Sequence, residues 1–486
     1  MNVFDYFFDT TKNLKKDFVI GPKETISYTE LYENSLKVAS YINENYGIGE
    51  NIVLISPNSV FFITVYLGIL KSGNVCVPLN FAIEQENLEF ILKTTDTKIA
   101  AVAKNLHSKL HFDESTTIID QNAINEIIEK EPIQAFNPDV DQNIVAEIIF
   151  TSGSTGEPKG VMISHKNIIA NTNSIIEYLK LTSNDTIGIV LPFFYCYGLS
   201  LLHTHLKVGG SIVLNNSFIF LGSVINDLKK YKCTGFSGVP SHFQILLKKS
   251  QSFKNTKFPD LRYVTQAGGK LHDVFIKEFV DAFPKIDFFV MYGQTEATAR
   301  LSYMPPTMLK NKLSSIGKAI PGVQLKVVNN KGETTKINEQ GELLAKGDNI
   351  MLGYYKDIEA TNITIKDGWL HTGDIAKVDS DGYFYIVARK KEIIKVGGKR
   401  VSPKEIEEVI LSIPEVVDCT IKGISDDILG EAIQATIVLK DNTKQEKMKE
   451  NILYTCAEKL SMYKIPQKIV FESAIAMSAT GKKLNK

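Results

Sequence analysis

The chain has 486 residues, and its 55 lysines and arginines balance 55 aspartates and glutamates, so the formal net charge is zero. This balance gives no sign of a nucleic-acid or anionic membrane partner, and the length predicts two or three domains. The start lacks a secretory signal, and the five cysteines lie too far apart for a metal site or a disulfide scaffold. We therefore predict a cytoplasmic protein without a transmembrane segment. The apolar run from Val60 to Leu70 is too short to span a membrane and is typical of a buried helix.

Up to about residue 300, short β-branched runs alternate with longer helical patterns. This alternation predicts an α/β fold in which helices cover parallel sheets. The predicted strands cover residues 51–55, 98–102, 145–151, 187–192, 211–214 and 288–291. The predicted helices cover residues 61–71, 86–93, 167–180, 221–230 and 272–283.

The pattern changes after Pro305 and Pro306. Strands separated by Gly, Asp and Asn turns predict a small, mostly antiparallel unit, with strands at 323–329, 342–346, 383–387 and 392–396. A compact last segment then predicts a helix from Pro403 to 413, strands at 416–421 and 435–439, a helix at 444–459 and a strand near 468–471. We expect domains at 1–388 and 389–486. A hinge near Lys391 and an ordinary charged surface turn both remain open for residues 390–392.

An apolar strand from Ile148 runs into a loop of glycines, hydroxyls and one lysine that ends at Gly160. Gly153 and Gly156 allow backbone N–H groups to converge on an anion, and the hydroxyls and the lysine add donors. The spacing is not that of a Walker A loop, and a simple turn remains the alternative. The candidate phosphate-binding residues are Thr151, Ser152, Gly153, Ser154, Thr155, Gly156 and Lys159.

Residues 292–296 follow a buried predicted strand, and ligands bind at the carboxyl ends of parallel strands. Tyr292 offers a flat face to a purine, Thr295 a hydroxyl to a phosphate, and Glu296 a carboxylate to Mg²⁺. The alternative is a helix start with Thr295 as the N-cap.

Two further segments carry candidate residues. Asp374, beside Gly373, could accept both hydroxyls of a ribose, or it could be an ordinary turn aspartate. Lys482, after Gly481, lies in a tail that is by itself typical of a solvated terminus. A metal site at His203 and His205 is disfavoured, because their spacing places the two rings on different faces of a helix.

In this order the segments closely resemble the adenylate-forming superfamily of acyl- and aryl-CoA synthetases, luciferases and nonribosomal adenylation domains. The resemblance covers nearly the whole chain, with matching segments at 26–31, 67–73, 151–160, 191–198, 292–296, 341–355, 372–374, 389–403 and 481–482. It implies a large N-terminal domain of two αβ subdomains plus a small β-barrel, and a small mobile α+β C-terminal domain. It also implies two half-reactions: a carboxylate attacks the α-phosphate of ATP to give an acyl-adenylate and pyrophosphate, and a thiol then displaces AMP.

The resemblance also implies roles for single residues. Lys482 would reach the α-phosphate and the attacking carboxylate, Thr295 would contact the same phosphate, and residues 151–159 would hold the β- and γ-phosphates. Glu296 with Thr155 would hold Mg²⁺. The nucleoside would be bound by Tyr292 and Gly293, by Gly268 and Gly269 at the adenine edge, and by Asp374 and Arg389 at the ribose. Lys391 would be the hinge, and the thiol arm would pass the loop that carries Lys395, Gly398, Lys399 and Arg400.

The acyl pocket is implied at Phe194, Tyr195, Tyr197, Gly198 and Met291. No aspartate lies between Pro192 and Thr204, which disfavours α-amino acids because a carboxylate usually pairs the substrate ammonium in such enzymes. Tyr195 stands where many acyl-CoA synthetases have a histidine, and it favours a smaller or more polar acid. Arg300 could meet either a substrate carboxylate or a surface acid.

The thiol acceptor is left open between coenzyme A and the phosphopantetheine of a separate acyl carrier protein. Lys399 and Arg400 suit either the 3′-phosphate of CoA or an acidic carrier helix. An acid–CoA ligase is the favoured prediction, and a ligase that loads an acid or an amino acid onto a carrier protein is the alternative. A non-catalytic nucleotide-binding scaffold is disfavoured, because the residues expected to react are all present.

Overall fold

The computed structural model describes the chain except for residues 131–139, 152–157, 217, 219, 391, 427–428, 442–444, 478–482 and 484–486 and the side chain of Arg400. The helices of this described part are α1 Val3–Phe8, α2 Tyr28–Tyr46, α3 Val60–Lys71, α4 Gln85–Thr95, α5 Lys104–His107, α6 Gln121–Lys130, α7 His165–Leu179, α8 Cys196–Val208, α9 Leu221–Lys230, α10 Pro240–Lys249, α11 Gln251–Asn255, α12 Asp273–Ala282, α13 Ile358–Thr364, α14 Pro403–Leu411 and α15 Gln445–Lys459.

The strands in the first 300 residues are β1 Asp17–Val19, β2 Ile26–Ser27, β3 Asn51–Ile55, β4 Val75–Leu79, β5 Ile99–Val102, β6 Thr117–Asp120, β7 Val145–Thr151, β8 Lys159–Ser164, β9 Thr186–Ile189, β10 Ser211–Leu214, β11 Gly235–Gly238, β12 Tyr263–Gln266 and β13 Asp287–Tyr292. The later strands are β14 Ser302–Met304, β15 Lys318–Ala319, β16 Val323–Val328, β17 Gly341–Gly347, β18 Gly353–Tyr354, β19 Ile365–Lys366, β20 Trp369–Val378, β21 Phe384–Arg389, β22 Ile394–Val396, β23 Lys399–Val401, β24 Val416–Asp426, β25 Gly430–Leu439 and β26 Lys468–Phe471.

Two α/β sheets form most of a large N-terminal domain. One has the strand order β18-β8-β7-β4-β3-β5-β6 and the other β15-β14-β13-β12-β11-β9-β10-β1-β2. Their central strands are parallel, and antiparallel strands such as β8 and β14 lie towards the edges. The predicted α/β fold is confirmed, and the apolar helix α3 lies in its core, with Phe62, Leu67 and Leu70 fully buried. Among the described helices, none is both long enough and apolar enough to cross a membrane.

A five-stranded antiparallel sheet follows, in which β17 lies between β16 and β20, and both β19 and β21 pair with β20. Strand β20 was not predicted. Asp374 lies within it, so the interpretation of this residue as a turn aspartate was wrong. Buried and partly exposed residues alternate along β20, but the buried positions Thr372 and Asp374 are polar, so the sequence lacks the alternation of apolar and polar residues that usually identifies a strand.

The small C-terminal domain contains the sheet β23-β22-β25-β24, with β26 paired to β25, and the helices α14 and α15. The predicted strand at 392–396 was placed in the preceding antiparallel unit, and this was wrong. Strand β22 pairs with β23 and β25 instead. Strand pairing depends on chain segments distant in sequence, so the local pattern identified a strand without identifying its sheet. The predicted boundary between residues 388 and 389 stays a prediction.

Candidate active site

The loop after β13 lies where two neighbouring parallel strands, β12 and β13, end. Tyr292 is the last residue of the strand, and Thr295–Ala297 form a single 3₁₀ turn after it. Thr295 is the first residue of that turn rather than its N-cap, so the alternative role as a cap was wrong. Its side chain is buried, and its Oγ1 lies 3.6 Å from Cys196 Sγ at the start of α8.

Asp374, Tyr292 and Arg389 form one hydrogen-bonded cluster, which we call the nucleoside cluster. The Tyr292 hydroxyl donates to Asp374 Oδ2 at 2.6 Å, and Arg389 Nε donates to Asp374 Oδ1 at 3.2 Å. Asp374 and Arg389 are direct partners across β20 and β21, which is why residues fifteen positions apart meet. Burial and the Asp374 carboxylate raise the pKa of Tyr292, so this phenol stays a hydrogen-bond donor. The Asp374 side chain is 4% exposed and that of Arg389 is 53% exposed, so the arginine can turn towards a ligand.

Glu296, Tyr354, Lys159 and Asp357 form a second group, which we call the phosphate-side cluster. The Tyr354 hydroxyl donates to Glu296 Oε1 at 2.8 Å. Lys159 Nζ donates to Asp357 Oδ2 at 2.9 Å and lies 5.2 Å from the centre of the Tyr354 ring. The short strand β18 pairs with β8, placing Tyr354 opposite Val161 and therefore near Lys159. Lys159, a candidate phosphate-binding residue, begins a strand and has a carboxylate partner in Asp357.

The predicted phosphate loop is described only at its two ends. Ser152, Gly153, Ser154, Thr155 and Gly156 lie outside the described residues. The two ends of the segment are described, and Thr151 and Lys159 are partners across β7 and β8. The strand predicted at 145–151 is therefore confirmed, while the loop after it and its contacts with phosphates stay predictions.

The glycines at the expected adenine edge follow β12. Gly268 has a φ of 86°, and the carbonyl of Gly269 accepts a hydrogen bond from Gln266 Nε2 at 2.8 Å. Gly293 follows Tyr292 directly. These residues lie at the carboxyl ends of the adjacent strands β12 and β13, which is the edge that carries the nucleoside cluster through Tyr292.

The residues expected to line the acyl pocket lie around the start of α8. Tyr195 precedes the helix, and Phe194 packs edge-on against Phe81 with 6.5 Å between the ring centres. A Cβ on Gly198 would lie 2.1 Å from the carbonyl oxygen of Pro192, so only glycine allows this first helical turn to pack here. Tyr197 donates to the carbonyl of Thr265 at 3.0 Å.

Met291 and Arg300 complete this region. Met291 is buried on β13, and Arg300 contacts both Met291 and Tyr197. Arg300 is only 2% exposed and pairs with no acid of the described chain, so its interpretation as a partner of a surface acid was wrong.

The expected thiol-arm loop is a hairpin between β22 and β23 that turns at Gly397 and Gly398. Lys395 and Lys399 are exposed, and Lys399 Nζ lies 4.3 Å from the centre of the Tyr463 ring. Lys391, Lys482 and the side chain of Arg400 lie outside the described structure. Their hinge, catalytic and thiol-arm roles therefore stay predictions.

Sequence reasoning missed the contact between the two domains, which we call the domain seam. Glu408 on α14 accepts from Lys270 Nζ at 2.6 Å and lies 3.1 Å from His272 Nδ1, and Glu407 lies 3.7 Å from His272 Nε2. Burial would raise the pKa of the Glu408 carboxyl, but His272 and Lys270 outweigh it and bring the pKa to about 2. The seam begins directly after Gly268 and Gly269, so it lies beside the expected adenine edge.

Sequence reasoning also missed Tyr354 and Asp357 in the phosphate-side cluster. The signal available was the Gly-Tyr-Tyr sequence at 353–355, which ends one of the recognised segments. Neither residue type nor spacing indicates that this segment pairs with β8, because the two lie almost two hundred positions apart.

The donor set at Glu296 fits a magnesium ion carried by a nucleotide. Mg²⁺ in such sites is bound through one or two carboxylates together with substrate phosphates and water. Glu296 supplies one carboxylate, and the Tyr354 hydroxyl donates a hydrogen bond to only one of its two oxygens. No cluster of three or more His, Cys, Asp or Glu ligands occurs in the part of the chain that the structure describes. The residues therefore suit a phosphate-bound ion rather than one held by the protein alone.

Comparison with known proteins identifies related sequences along nearly the entire chain. The family model for AMP-binding enzymes matches residues 8–355, and the model for the C-terminal domain of the same enzymes matches residues 405–482. The oxalate–CoA ligase of Arabidopsis thaliana is 30% identical, with 95% of this chain and 93% of that protein covered. A long-chain-fatty-acid–CoA ligase of Escherichia coli is 26% identical, with 95% and 89% covered.

Solved structures agree with the fold. The anthranilate CoA ligase AuaEII in complex with anthranoyl-AMP superposes with a TM-score of 0.92 at 24% identity, covering 99% of this chain and 95% of that one. The O-succinylbenzoate coenzyme A synthetase MenE of Bacillus subtilis, in complex with ATP and a magnesium ion, superposes with a TM-score of 0.87 at 25% identity, covering 99% and 98%.

Proposed function

Because this chain belongs to the family of AMP-binding enzymes and is an AMP-forming acid–thiol ligase, we propose that it activates a carboxylic acid with ATP and transfers the acyl group to coenzyme A. The observation that carries the proposal is the nucleoside cluster. A buried carboxylate on β20, a tyrosine at the end of β13 and a half-exposed arginine at the end of β21 are held together by hydrogen bonds and suit a ribose and its neighbouring base.

In the first step, a carboxylate oxygen of the acid attacks the α-phosphorus of ATP, and the bond to the bridging oxygen of pyrophosphate breaks. Pyrophosphate leaves with that electron pair. Both reactants are anions, so positive charge and N–H donors at the α-phosphate lower the barrier. We assign this work to Lys482 and Thr295. When bound, Mg²⁺ would supply further positive charge to the triphosphate, and Glu296 would hold it.

In the second step, the thiol sulfur attacks the acyl carbonyl carbon, the bond to the phosphate oxygen breaks, and AMP leaves with the electron pair. The thiol proton goes to solvent. We propose that the C-terminal domain turns about Lys391 between the steps, so that the hairpin with Gly398 replaces Lys482 at the site. Transfer to CoA is favoured because the relatives over the full chain are named CoA ligases.

The names of these relatives do not determine the acid. They range from oxalate, a two-carbon diacid, to long-chain fatty acids, so they support acid–CoA ligation without selecting one acid. A carrier-protein acceptor remains the second candidate, because the exposed Lys399 suits an acidic partner surface as well as a phosphate.

The test is acid-dependent exchange of radiolabelled pyrophosphate into ATP over a broad panel of carboxylic acids, followed by thioester formation. We expect exchange with some acids and, with those acids, AMP release and CoA consumption. Exchange without CoA consumption, but with loading of a phosphopantetheinylated carrier protein, would select the second candidate. Absence of exchange with every acid contradicts the proposed function.

A further inference from the structure

Arg300 is one of only four arginines in the sequence, the others being Arg262, Arg389 and Arg400. Lysines supply nearly all other positive charge, so an arginine deep inside the large domain needs a physical reason. Its side chain is 2% exposed and is the largest fully buried side chain in the described structure. It follows Glu296 by four residues, on the segment that leaves the expected ATP site.

The contacts of Arg300 neutralise none of its charge. Nε donates to Met291 Sδ at 3.3 Å, and Nη1 donates to the carbonyl of Ala299 at 3.2 Å. The guanidinium carbon lies 4.1 Å from the centre of the Tyr197 ring. No carboxylate of a described residue lies within the 4.0 Å that defines an ion pair.

The other two described arginines are arranged differently. Arg262 lies 4.5 Å from the ring centre of Tyr263, and its Nε also pairs with Asp185 at 2.8 Å. Arg389 pairs with Asp374. A guanidinium is always charged in proteins, and burying it without an anion is costly. Stacking on Tyr197 offsets only part of that cost, so the Arg300 site is electrostatically incomplete.

The backbone before Arg300 is held in an unusual conformation. Thr298 and Ala299 have φ values of 56° and 136°, which side-chain-bearing residues rarely adopt. The carbonyl of Arg300 accepts hydrogen bonds from Asn349 Nδ2 at 2.8 Å and Asn171 Nδ2 at 3.3 Å. A Cβ on Gly293 would lie 2.0 Å from the carbonyl oxygen of Ala299, so the turn closes tightly on itself. These contacts fix the backbone from which the Arg300 side chain extends.

The surroundings of Arg300 connect it to the expected acyl pocket. Tyr197 and Met291, which Arg300 contacts, both belong to the acyl pocket predicted from the sequence. Burial raises the pKa of Tyr195 and of Tyr197, and the charge of Arg300 acts in the opposite direction on both phenols, so the cation lies close to each. Tyr197 Oη and Ser237 Oγ both lie within hydrogen-bond distance of Thr265 Oγ1, at 2.8 and 2.6 Å. This end of the region is therefore polar as well as positively charged.

We propose that Arg300 recognises a second carboxylate on the acid that this enzyme activates, so that the substrate is a dicarboxylic acid. The inference rests on the proposed function and specifies its acid. One carboxylate of the substrate reacts with ATP, and the other meets the guanidinium, whose planar donors match a carboxylate. The substrate then supplies the anion that no described residue of the protein places there. Arg300 is a specificity residue and takes no part in the bond changes.

The experiment compares each diacid with its own monoamide, which has nearly the same shape and lacks the second charge. Suitable pairs are succinate and succinamate, glutarate and glutaramate, and terephthalate and its monoamide. In the wild-type protein we expect kcat/KM for pyrophosphate exchange to favour the diacid about 100-fold in at least one pair. In R300M we expect that preference to disappear, mainly through a higher KM for the diacid. R300K should keep part of it.

R262M is the matched control, because Arg262 also stacks on a tyrosine but has its own carboxylate. It should keep the diacid preference. If Arg300 has only a structural role, R300M lowers exchange with diacids, monoamides and simple monoacids by the same factor. This result overturns the proposal. Wild-type exchange that prefers the diacid over its monoamide in none of the pairs overturns it too, and leaves the proposed function intact.

When exchange is absent, a binding measurement tests the role of Arg300 separately from the proposed function. The melting temperature of wild type and R300M is measured with α,β-methylene-ATP, Mg²⁺ and each acid. A diacid should stabilise wild type more than its monoamide does, and this difference should vanish in R300M. If no acid supports exchange, the proposed function fails, and the absence of diacid-specific stabilisation then overturns the role of Arg300 separately.

Discussion

The two domains contribute to the candidate site in different ways. In the large domain, Asp374 is held by Tyr292 and Arg389, and Glu296 is held by Tyr354, so the polar groups that would meet ATP are already positioned by their neighbours. The small domain offers an exposed hairpin with Lys395 and Lys399, and it touches the large domain through the charged groups of the domain seam. Internal hydrogen bonds suit a site of constant shape, whereas a charged seam suits surfaces that must separate and rejoin.

The largest expected effect concerns the small domain. Lys482→Ala should lower acid-dependent pyrophosphate exchange by about a thousandfold, because Lys482 is the only charged side chain assigned to the α-phosphate and the hydroxyl of Thr295 brings no positive charge. Thioester formation from a supplied acyl-adenylate should remain. The exposed Lys468 on β26 provides the control variant, Lys468→Ala, which should retain both activities. Equal loss of both steps in Lys482→Ala would contradict the proposal that Lys482 acts in adenylation only and leaves the site before thioester formation.

The next largest effect tests the prearranged site of the large domain. Asp374→Asn keeps the shape of the side chain but removes the charge that holds Arg389, so the Kd for ATP should rise by about 30- to 100-fold. Isothermal titration calorimetry measures this change directly. Asp379→Asn is a matched control, because Asp379 also accepts from a cation and a tyrosine, Lys312 at 2.8 Å and Tyr385 at 3.0 Å. A similar loss of ATP affinity in both variants would show that the effect is structural.

A smaller effect is expected at the domain seam. Glu408→Gln removes the charge that pairs with Lys270 and His272, and we expect about a tenfold loss of exchange activity as the domains dock less often. Small-angle X-ray scattering with ATP bound would report the wider distribution of shapes. Glu405→Gln is the control on the same helix, because Glu405 pairs with Lys464 inside the small domain at 2.6 Å.

The seam also predicts a direction of pH dependence. The pKa of Glu408 is lowered to about 2 in the folded protein, against an ordinary value of 4.5, so its contribution is fully present above about pH 4.5. It is lost as the pH falls from about 4.5 towards 2. Scattering of the wild-type protein should therefore show domain separation beginning in this range. If the Glu408→Gln variant shows the same domain separation between about pH 4.5 and pH 2 as the wild type, Glu408 is not the group that causes it.

The smallest effect sharpens the description of the phosphate-side cluster. Tyr354→Phe removes the hydroxyl that donates to Glu296, so the carboxylate becomes less well oriented while its charge stays. We expect the Mg²⁺ concentration for half-maximal exchange to rise about threefold, a loss equivalent to part of one hydrogen bond. Tyr355→Phe is the neighbouring control, because the Tyr355 hydroxyl meets Asn51 at 3.1 Å, on β3. An unchanged Mg²⁺ requirement in Tyr354→Phe would mean that Glu296 is oriented without it.

Local sequence patterns predicted much of the α/β architecture. Strands such as β3, β7 and β10 and the helix α9 have the predicted bounds, because β-branched runs and helical periodicity are local signals. The strand β20 was not predicted, and β22 was predicted in the wrong sheet. A strand forms hydrogen bonds with strands that are distant in the sequence, and the local sequence pattern does not show which strands these are.

In the candidate site, too, local motifs predicted some residues, and the pairing of distant strands determined others. Tyr292, Asp374 and Arg389 were proposed from ordered motifs, and the structure brings these three together. Tyr354 and Asp357 were missed because they reach the site through the pairing of β18 with β8. The roles assigned to Ser152 through Gly156, Lys391 and Lys482 stay predictions.

The sequence alone determined the family and the chemistry of the chain, since both depend on residue types in a particular order. Only the tertiary structure decided which charges are compensated. Lys159 and Arg300 look equally available in the sequence, yet Lys159 has a carboxylate from a segment almost two hundred positions away, and Arg300 is buried beside a tyrosine with no acid of a described residue as its partner. Charge compensation depends on distance in space and on exclusion of water, and both arise only when the chain is folded.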